Sequence, residues 1–325
     1  MTFDTQKQNN EKYDSEYAAY EKALQNYNQT VSGKPTIVAN GNTKLVGTAG
    51  APGSIGYYSG MSVVSTDTGY TSLGQVSWNS NTQLIGTSKK ANLTDKQGKL
   101  ADGDESNFYD ITDIVHNNGT ITLTNVAKDS YGNSYDLKLG FTNTDSPINV
   151  PSTVIIGPAN DGSIEFDFYG GFESANAGVY ISSLQFVYHG TNVAAPVLMN
   201  SLFSDLDVTQ SFETNLGNTL SWTPSDSNVS IIGNTYLAKD DTDFQGFNSS
   251  PKGTGVMVGQ GSNFYYRFYN GSHNGRPAGT GISADGFDNG TQFNLFGQGA
   301  SLAQSPTPPI RQTTTANYHY DKELL

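Results

Sequence analysis

Cysteine is absent from this 325-residue chain, which excludes disulfide staples, thiolate nucleophiles and Cys-ligated zinc or iron–sulfur centres. Basic side chains are scarce. Against 30 Asp and Glu stand 17 Lys and Arg, a formal charge of −13, and such a surface repels a phosphate backbone, so a nucleic-acid partner is not expected. No apolar run approaches the roughly 20 residues that cross a bilayer, so no membrane insertion is expected in this segment. The opening MTFDTQKQNN lacks a basic stretch followed by an apolar one; a signal for export would lie outside this chain. Catalytic signatures are missing too: there is no GxSxG elbow, no phosphate-binding glycine loop and no HExxH. The four histidines, His116, His189, His273 and His319, are far apart in sequence.

What the chain has is aromatic surface, with 2 Trp, 19 Tyr and 16 Phe to bury, and 36 Gly in company with many Asn, Ser and Thr. This is the composition of short strands joined by turns. Residues 9 to 29 differ. Tyr13, Tyr17, Tyr20, Leu24 and Tyr27 recur at a 3.5-residue period, which predicts a helix with one narrow apolar seam; at this length the seam must pack on something. Gly33 and Pro35 stop it. From Thr36 to about Leu302 the pattern is strand and turn. Tyr135, Leu137, Leu139 and Phe141 alternate with polar residues, as do Ile164, Phe166 and Phe168. Further strands are expected at 121–126, 179–188, 228–232, 263–269 and 291–296, with turns at Asn118-Gly119, Asp161-Gly162, Asn270-Gly271 and Asn289-Gly290. Sheets packed face to face follow, because each alternating strand has one apolar side to bury. Ser305-Pro-Thr-Pro-Pro-Ile310 favours an extended polyproline conformation leading away from a domain.

Carbohydrate recognition needs an aromatic plate for the apolar sugar face and planar polar groups for its hydroxyls. Trp222, with Asp226 after it, and Trp78, followed by Asn79, have such surroundings. An isolated Trp in a β protein is otherwise a core residue. Pro224 ends any strand just after Trp222, which places its indole at a strand end. Asp240, Asp241 and Asp243 gather three carboxylates on one loop, a set that a hard cation such as Ca²⁺ would bridge; Asp205 and Asp207 are a weaker pair. Glu165 and Asp167 share one face of a strand and resemble the Glu-Phe-Asp strand of legume-type lectins, against the plainer reading of a polar solvent face. A jelly-roll glycoside hydrolase would need a second carboxylate near Glu165; positions 169 and 170 are Tyr and Gly, and Glu173 lies beyond Gly170-Gly171.

Three features converge on a resemblance. Residues 11–30, EKYDSEYAAYEKALQNYNQT, resemble the alanine-rich helical repeats of the streptococcal antigen I/II adhesins. Pro306-Thr-Pro-Pro309 and residues 316–325 look like the end of their proline-rich stalk. Residues 179–188, 229–236 and 261–270 look like strands of the variable region shared with glucan-binding protein C. The resemblance implies a Gram-positive cell-wall adhesin: an all-β, antiparallel, lectin-like β-supersandwich on a stalk in which the helix pairs with a polyproline segment. The expected organisation is a stalk helix at 1–33, the binding domain at 34–302 and a proline-rich segment at 303–325. The expected role is extracellular and non-catalytic: adhesion or aggregation through a polysaccharide or glycan, foremost a dextran-type α-glucan, or through a host or bacterial surface glycoprotein. The alternatives are the hydrolase built on Glu165 and Glu173 and an adhesin for a host protein. Signal and wall anchor would lie outside this chain.

Overall fold

The computed structural model describes residues 2–52, 56–91, 107–142, 153–169, 177–204, 206–207, 211–239, 250–270, 291–297 and 299–314. Strands β1 (Thr36–Asn40), β2 (Thr43–Gly47), β3 (Met61–Ser65) and β20 (Ser301–Gln304) form an outer sheet in the order β1-β2-β3-β20. A second sheet, β14-β17-β12-β4, joins β4 (Thr71–Ser72), β12 (Val197–Phe203), β14 (Leu220–Trp222) and β17 (Gly255–Gly261). The largest sheet has eight strands, β15-β16-β13-β18-β11-β8-β7-β5. These are β5 (Leu84–Ile85), β7 (Thr120–Lys128), β8 (Ser134–Phe141), β11 (Ala177–Tyr188), β13 (Ser211–Thr214), β15 (Val229–Ile232), β16 (Thr235–Ala238) and β18 (Phe264–Asn270). A fourth sheet, β19-β10-β9-β6, comprises β6 (Tyr109–Asp110), β9 (Thr153–Pro158), β10 (Ile164–Tyr169) and β19 (Thr291–Leu295).

The β12 sheet is a middle layer. Strand alternation sends Val197, Met199 and Phe203 into the main core against the eight-stranded sheet, and Leu198 and Leu202 into a second core against the β1-β2-β3-β20 sheet. Met257 joins the first core from β17, and Val256 and Val258 the second. Both faces are therefore apolar. The expected supersandwich is present, with the β9–β10 sheet closing the main core through Val154, Ile156, Ile164 and Phe166.

Most of the expected strands form where the alternation placed them, and Tyr135, Leu137, Leu139 and Phe141 all face inward. Two expectations need correction. Asn118-Gly119 is no hairpin: Asn118, at φ +56°, ends a short helix (α2, Thr112–His116) and leads into β7. Asp167 is only 1% exposed, so its side of β10 is buried rather than a solvent face. Asn270-Gly271 and Asn289-Gly290 extend outside the described residues.

Helix α1 (Thr2–Val31) is 30 residues long, about 45 Å at 1.5 Å per residue. Tyr13, Tyr20, Leu24 and Tyr27 are half-buried along one side, while Tyr17, 39% exposed, stands beside them. Its ring lies 5.8 Å from those of both Tyr13 and Tyr20. The helix packs beside β20 and then along the extended chain that follows. Ile310 and Gln312 line a shallow groove together with Asn9, Lys12, Tyr13 and Glu16. The Arg311 guanidinium sits 5.3 Å over the Tyr13 ring, and Gln6 Oε1 accepts both Thr314 N (2.7 Å) and Thr314 Oγ1 (2.8 Å). Higher numbers in one strand of this stem meet lower numbers in the other, so the two run antiparallel.

Deleting residues 2–30 is expected to raise the rate of proteolytic cleavage around Pro306 by about tenfold or more while sparing the sheets, since the extended segment has no ladder of its own. Unchanged protection at Pro306 would show that the pairing does not hold the segment.

Candidate functional site

The chain rises from Tyr57 and Tyr58 directly into β3, Met61 N bonding Tyr58 O at 3.0 Å. Tyr58 is 3% exposed, and its hydroxyl lies 2.6 Å from Thr254 Oγ1. Two half-buried rings stand nearly at right angles to it. Tyr57 lies 4.9 Å away at 86°, and Trp222 lies 5.9 Å away at 87°. Burial first and Tyr58 OH's neighbour Tyr57 raise the Tyr58 pKa well above the usual phenol range, the Thr254 bond opposing them. For Tyr57 the cause is burial, then the nearby Asp226 carboxylate. Asp226 therefore shares this corner, exposed, with Lys252 Nζ at 3.9 Å. Three aromatic rings, a carboxylate and an ammonium are thus gathered at this corner.

Local sequence explains the placement. Trp222 is the last residue of β14, opposite Val256, and Pro224 follows in a turn whose Ser227 N bonds Pro224 O at 3.0 Å. Lys252 O receives Ser227 Oγ (3.0 Å) and Asn228 N (2.8 Å), which fixes Lys252 beside that turn. At Gly255 a Cβ would come within 2.5 Å of the Phe203 ring and 2.7 Å of Trp222 O, so only glycine lets β14 and β17 close here. The strand-end position expected for Trp222 is observed, and its indole is half-buried against the second core. Sequence patterning passed over Tyr57, Tyr58 and Lys252; a Tyr-Tyr pair in a Gly- and Ser-rich loop was the only signal.

Trp78 and Asn79 lie elsewhere. Trp78 is half-buried against the main core and stacks on Tyr109 at 6.0 Å, with Lys90 Nζ 3.7 Å from the Tyr109 centroid. Asn79 Nδ2 donates to Asn125 O at 2.7 Å, so its amide ties the 79–82 turn to β7. The two Trp residues belong to different clusters and are not brought together. Asp240, Asp241, Asp243, Asp205, Glu173, His273 and His319 lie outside the described residues. Among the described residues no group of three or more His, Cys, Asp or Glu is placed to hold a metal.

One pairing that sequence spacing hid is His189 Nδ1 with Asp136 Oδ1, 2.7 Å apart. Asn125, at φ +54° in a β7 bulge, gives its N–H to Asp136 Oδ1 (2.8 Å), and Gly190 N donates to Oδ2 (3.0 Å). The dyad pins the turn after β11. Asp129 is a similar hub in the β7–β8 turn, accepting from Tyr131 N, Asn133 N, Asn133 Nδ2 and the Tyr135 hydroxyl. Burial by itself would raise both carboxyls; these hydrogen bonds outweigh it and hold both below the usual carboxylate range.

No family model matches the chain, and no curated protein does. Among solved structures, glucan-binding protein C of Streptococcus mutans, described as mediating both sucrose-independent and sucrose-dependent adherence, is 13% identical at a TM-score of 0.38, over 97% of this chain and 91% of that one. The adhesin domain of PrgB from Enterococcus faecalis bound to DNA is 11% identical at 0.39, over 74% and 100%. The same domain alone is 14% identical at 0.36, over 88% and 98%. These structural neighbours are surface adhesins of Gram-positive bacteria.

The lowered Asp129 and Asp136 pKa values place their contribution on the acid side: it is complete above the unfolded carboxylate value near 4 and is lost as pH falls through the folded values. Asp129→Asn is expected to lower Tm at pH 7, and the gap to the native chain should narrow toward pH 3. A gap constant with pH would contradict these ionised hubs.

Proposed function

We propose that this chain is a non-catalytic surface adhesin domain whose ligand is an extracellular glycan, held at the corner of Tyr57, Trp222, Asp226 and Lys252. The supporting observation is the corner's position. β20 and the stem leave the outer sheet at Gln304, beside Ser65, whereas Tyr58 precedes Met61 at the other end of β3. Trp222 likewise sits at the Phe203 end of the middle sheet, opposite the Val197 end that pairs with β4. A stem on one side and two half-buried aromatic rings on the other is the layout of a presented binding tip. Half-buried rings suit the apolar face of a pyranose, and Asp226 with Lys252 supplies an acceptor and a donor for hydroxyls. The ligand is foremost a dextran-type α-glucan, and the whole protein is anchored to a Gram-positive cell wall. The −13 charge argues against duplex DNA as the ligand here.

Retention on immobilised dextran and other polysaccharides tests the reading. The native chain is expected to be retained without releasing reducing ends, and Tyr57→Ala or Trp222→Ala to lower affinity by about tenfold or more, as loss of an aromatic hot spot does. Trp222→Ala is also expected to cost about 2 kcal/mol of stability, less than a fully buried Trp; Tyr57→Ala separates the two effects. Release of reducing ends, abolished by Glu165→Gln, would make the domain a hydrolase, and retention of a host protein or DNA but no polysaccharide would replace the ligand class.

Calcium at Asp240, Asp241 and Asp243 belongs to the same proposal as a stiffener of the loop. Millimolar chelator is then expected to lower Tm by linkage; an unmoved melting curve would leave a bare acidic loop.

A further inference from the structure

β20 is the strand through which the chain passes from the sandwich to the stem, and it pairs with β3 in parallel: Ser301 with Ser62, Leu302 with Val63, Ala303 with Val64 and Gln304 with Ser65. The other ladders of this outer sheet are antiparallel. Direction matters here. A pull applied to residues 305–314 draws β20 along its own axis past β3, so the inter-strand bonds are loaded side by side and must fail together. An antiparallel hairpin pulled open at one end loses them one after another.

Side chains reinforce both ends of this short ladder. At its start, Ser301 Oγ lies 2.7 Å from Ser62 Oγ. At its end, Gln304 Nε2 donates to Asp67 O (2.7 Å), Gln304 Oε1 accepts from Ser72 Oγ (2.9 Å), and Ser305 N reaches Ser65 O (2.7 Å). Asp67 is itself tied down: its carboxylate accepts Asn42 Nδ2 at 2.7 Å and Gln260 Nε2 at 2.6 Å. One aspartate thus joins the β1–β2 turn, β17 of the middle sheet and the last residue of β20. A departing β20 would have to break from Asp67, so anchored, and from Ser72 of β4 in the same event.

We propose that the β3–β20 ladder, with Gln304 locked to Asp67 and Ser72, is a mechanical clamp that carries tension between the stem and the body of the sandwich. The path is continuous: Tyr58 packs on Trp222 and Thr254, feeds β3 at Met61, and β3 passes load through the ladder to β20 and the extended segment. The clamp belongs to the fold and does not depend on which ligand the domain binds. Its length is only four paired residues, which is why the side-chain locks at both ends matter: each adds a bond that breaks in the same event.

The absence of cysteine makes the test direct, because two introduced thiols are unique handles. Asp226→Cys and Thr314→Cys allow the full chain to be held at constant force between the far end of the sandwich and the stem, where lifetime reports the rate of forced unfolding. Adding Gln304→Ala is expected to shorten the lifetime of the sandwich under load by about tenfold, the equivalent of roughly one net hydrogen bond lost before the barrier. Asp136→Asn, whose carboxylate holds Asn125, His189 and Gly190 away from this path, is expected to lower Tm at least as much and leave the lifetime under force within about twofold. A lifetime unaltered by Gln304→Ala, or shortened equally by Asp136→Asn, would overturn the clamp. Neither outcome depends on glycan retention, so the clamp and the proposed ligand stand or fall separately.

Discussion

A sheet buried on both faces sets the terms for the rest of this molecule. Val197, Leu198, Met199, Leu202 and Phe203 are all buried, to opposite sides in turn. Such a strand cannot end in water on either side, so it requires an eight-stranded sheet against one face and a smaller sheet against the other. The smaller sheet needs an attachment for its outer edge as well, and α1 lies beside β20 there. The stem is thereby tied to the layer whose opposite end carries Tyr57 and Tyr58. The Tyr57–Tyr58 corner and the stem are two ends of the same few strands.

The same constraint decides what the sequence made legible. Strands with alternating apolar and polar residues announced themselves, as in Ser134–Phe141 and Ile164–Tyr169. The middle layer did not: Val197–Phe203 and Gly255–Gly261 read as short apolar or glycine-rich runs with no period of two, because both of their faces are dry. Asp167 misleads for a related reason, since a polar side of a strand is taken to face solvent and here it faces protein. The stem helix was legible from its tyrosine period, and its seam does find the extended segment. Tyr17 lies at one edge of the seam, about 40° round the helix from Tyr13, and its ring rests on those of its neighbours.

Of the candidate site, Trp222 and Asp226 were legible because strand-ending chemistry surrounds them. Tyr57, Tyr58 and Lys252 were not, because they arrive from other chain segments, the first two just before β3 and the third just before β17, a separation that only tertiary packing closes. The polar hubs follow the same logic. Asp67, Asp129 and Asp136 each use a carboxylate to gather donors from turns that strand ladders cannot satisfy. In Asp136 and His189 this produces two thirds of a catalytic triad with a structural purpose.

The chain's two tryptophans allow the central claim to be read optically. With Trp78→Phe, the remaining indole reports only on the Tyr57, Tyr58 and Trp222 corner; with Trp222→Phe, only on the Tyr109 stack. Titrating each variant with isomalto-oligosaccharide, the account predicts a saturable change in emission for Trp78→Phe and none for Trp222→Phe. A saturable change confined to the variant that keeps Trp78 would contradict it and move the ligand to the other aromatic cluster.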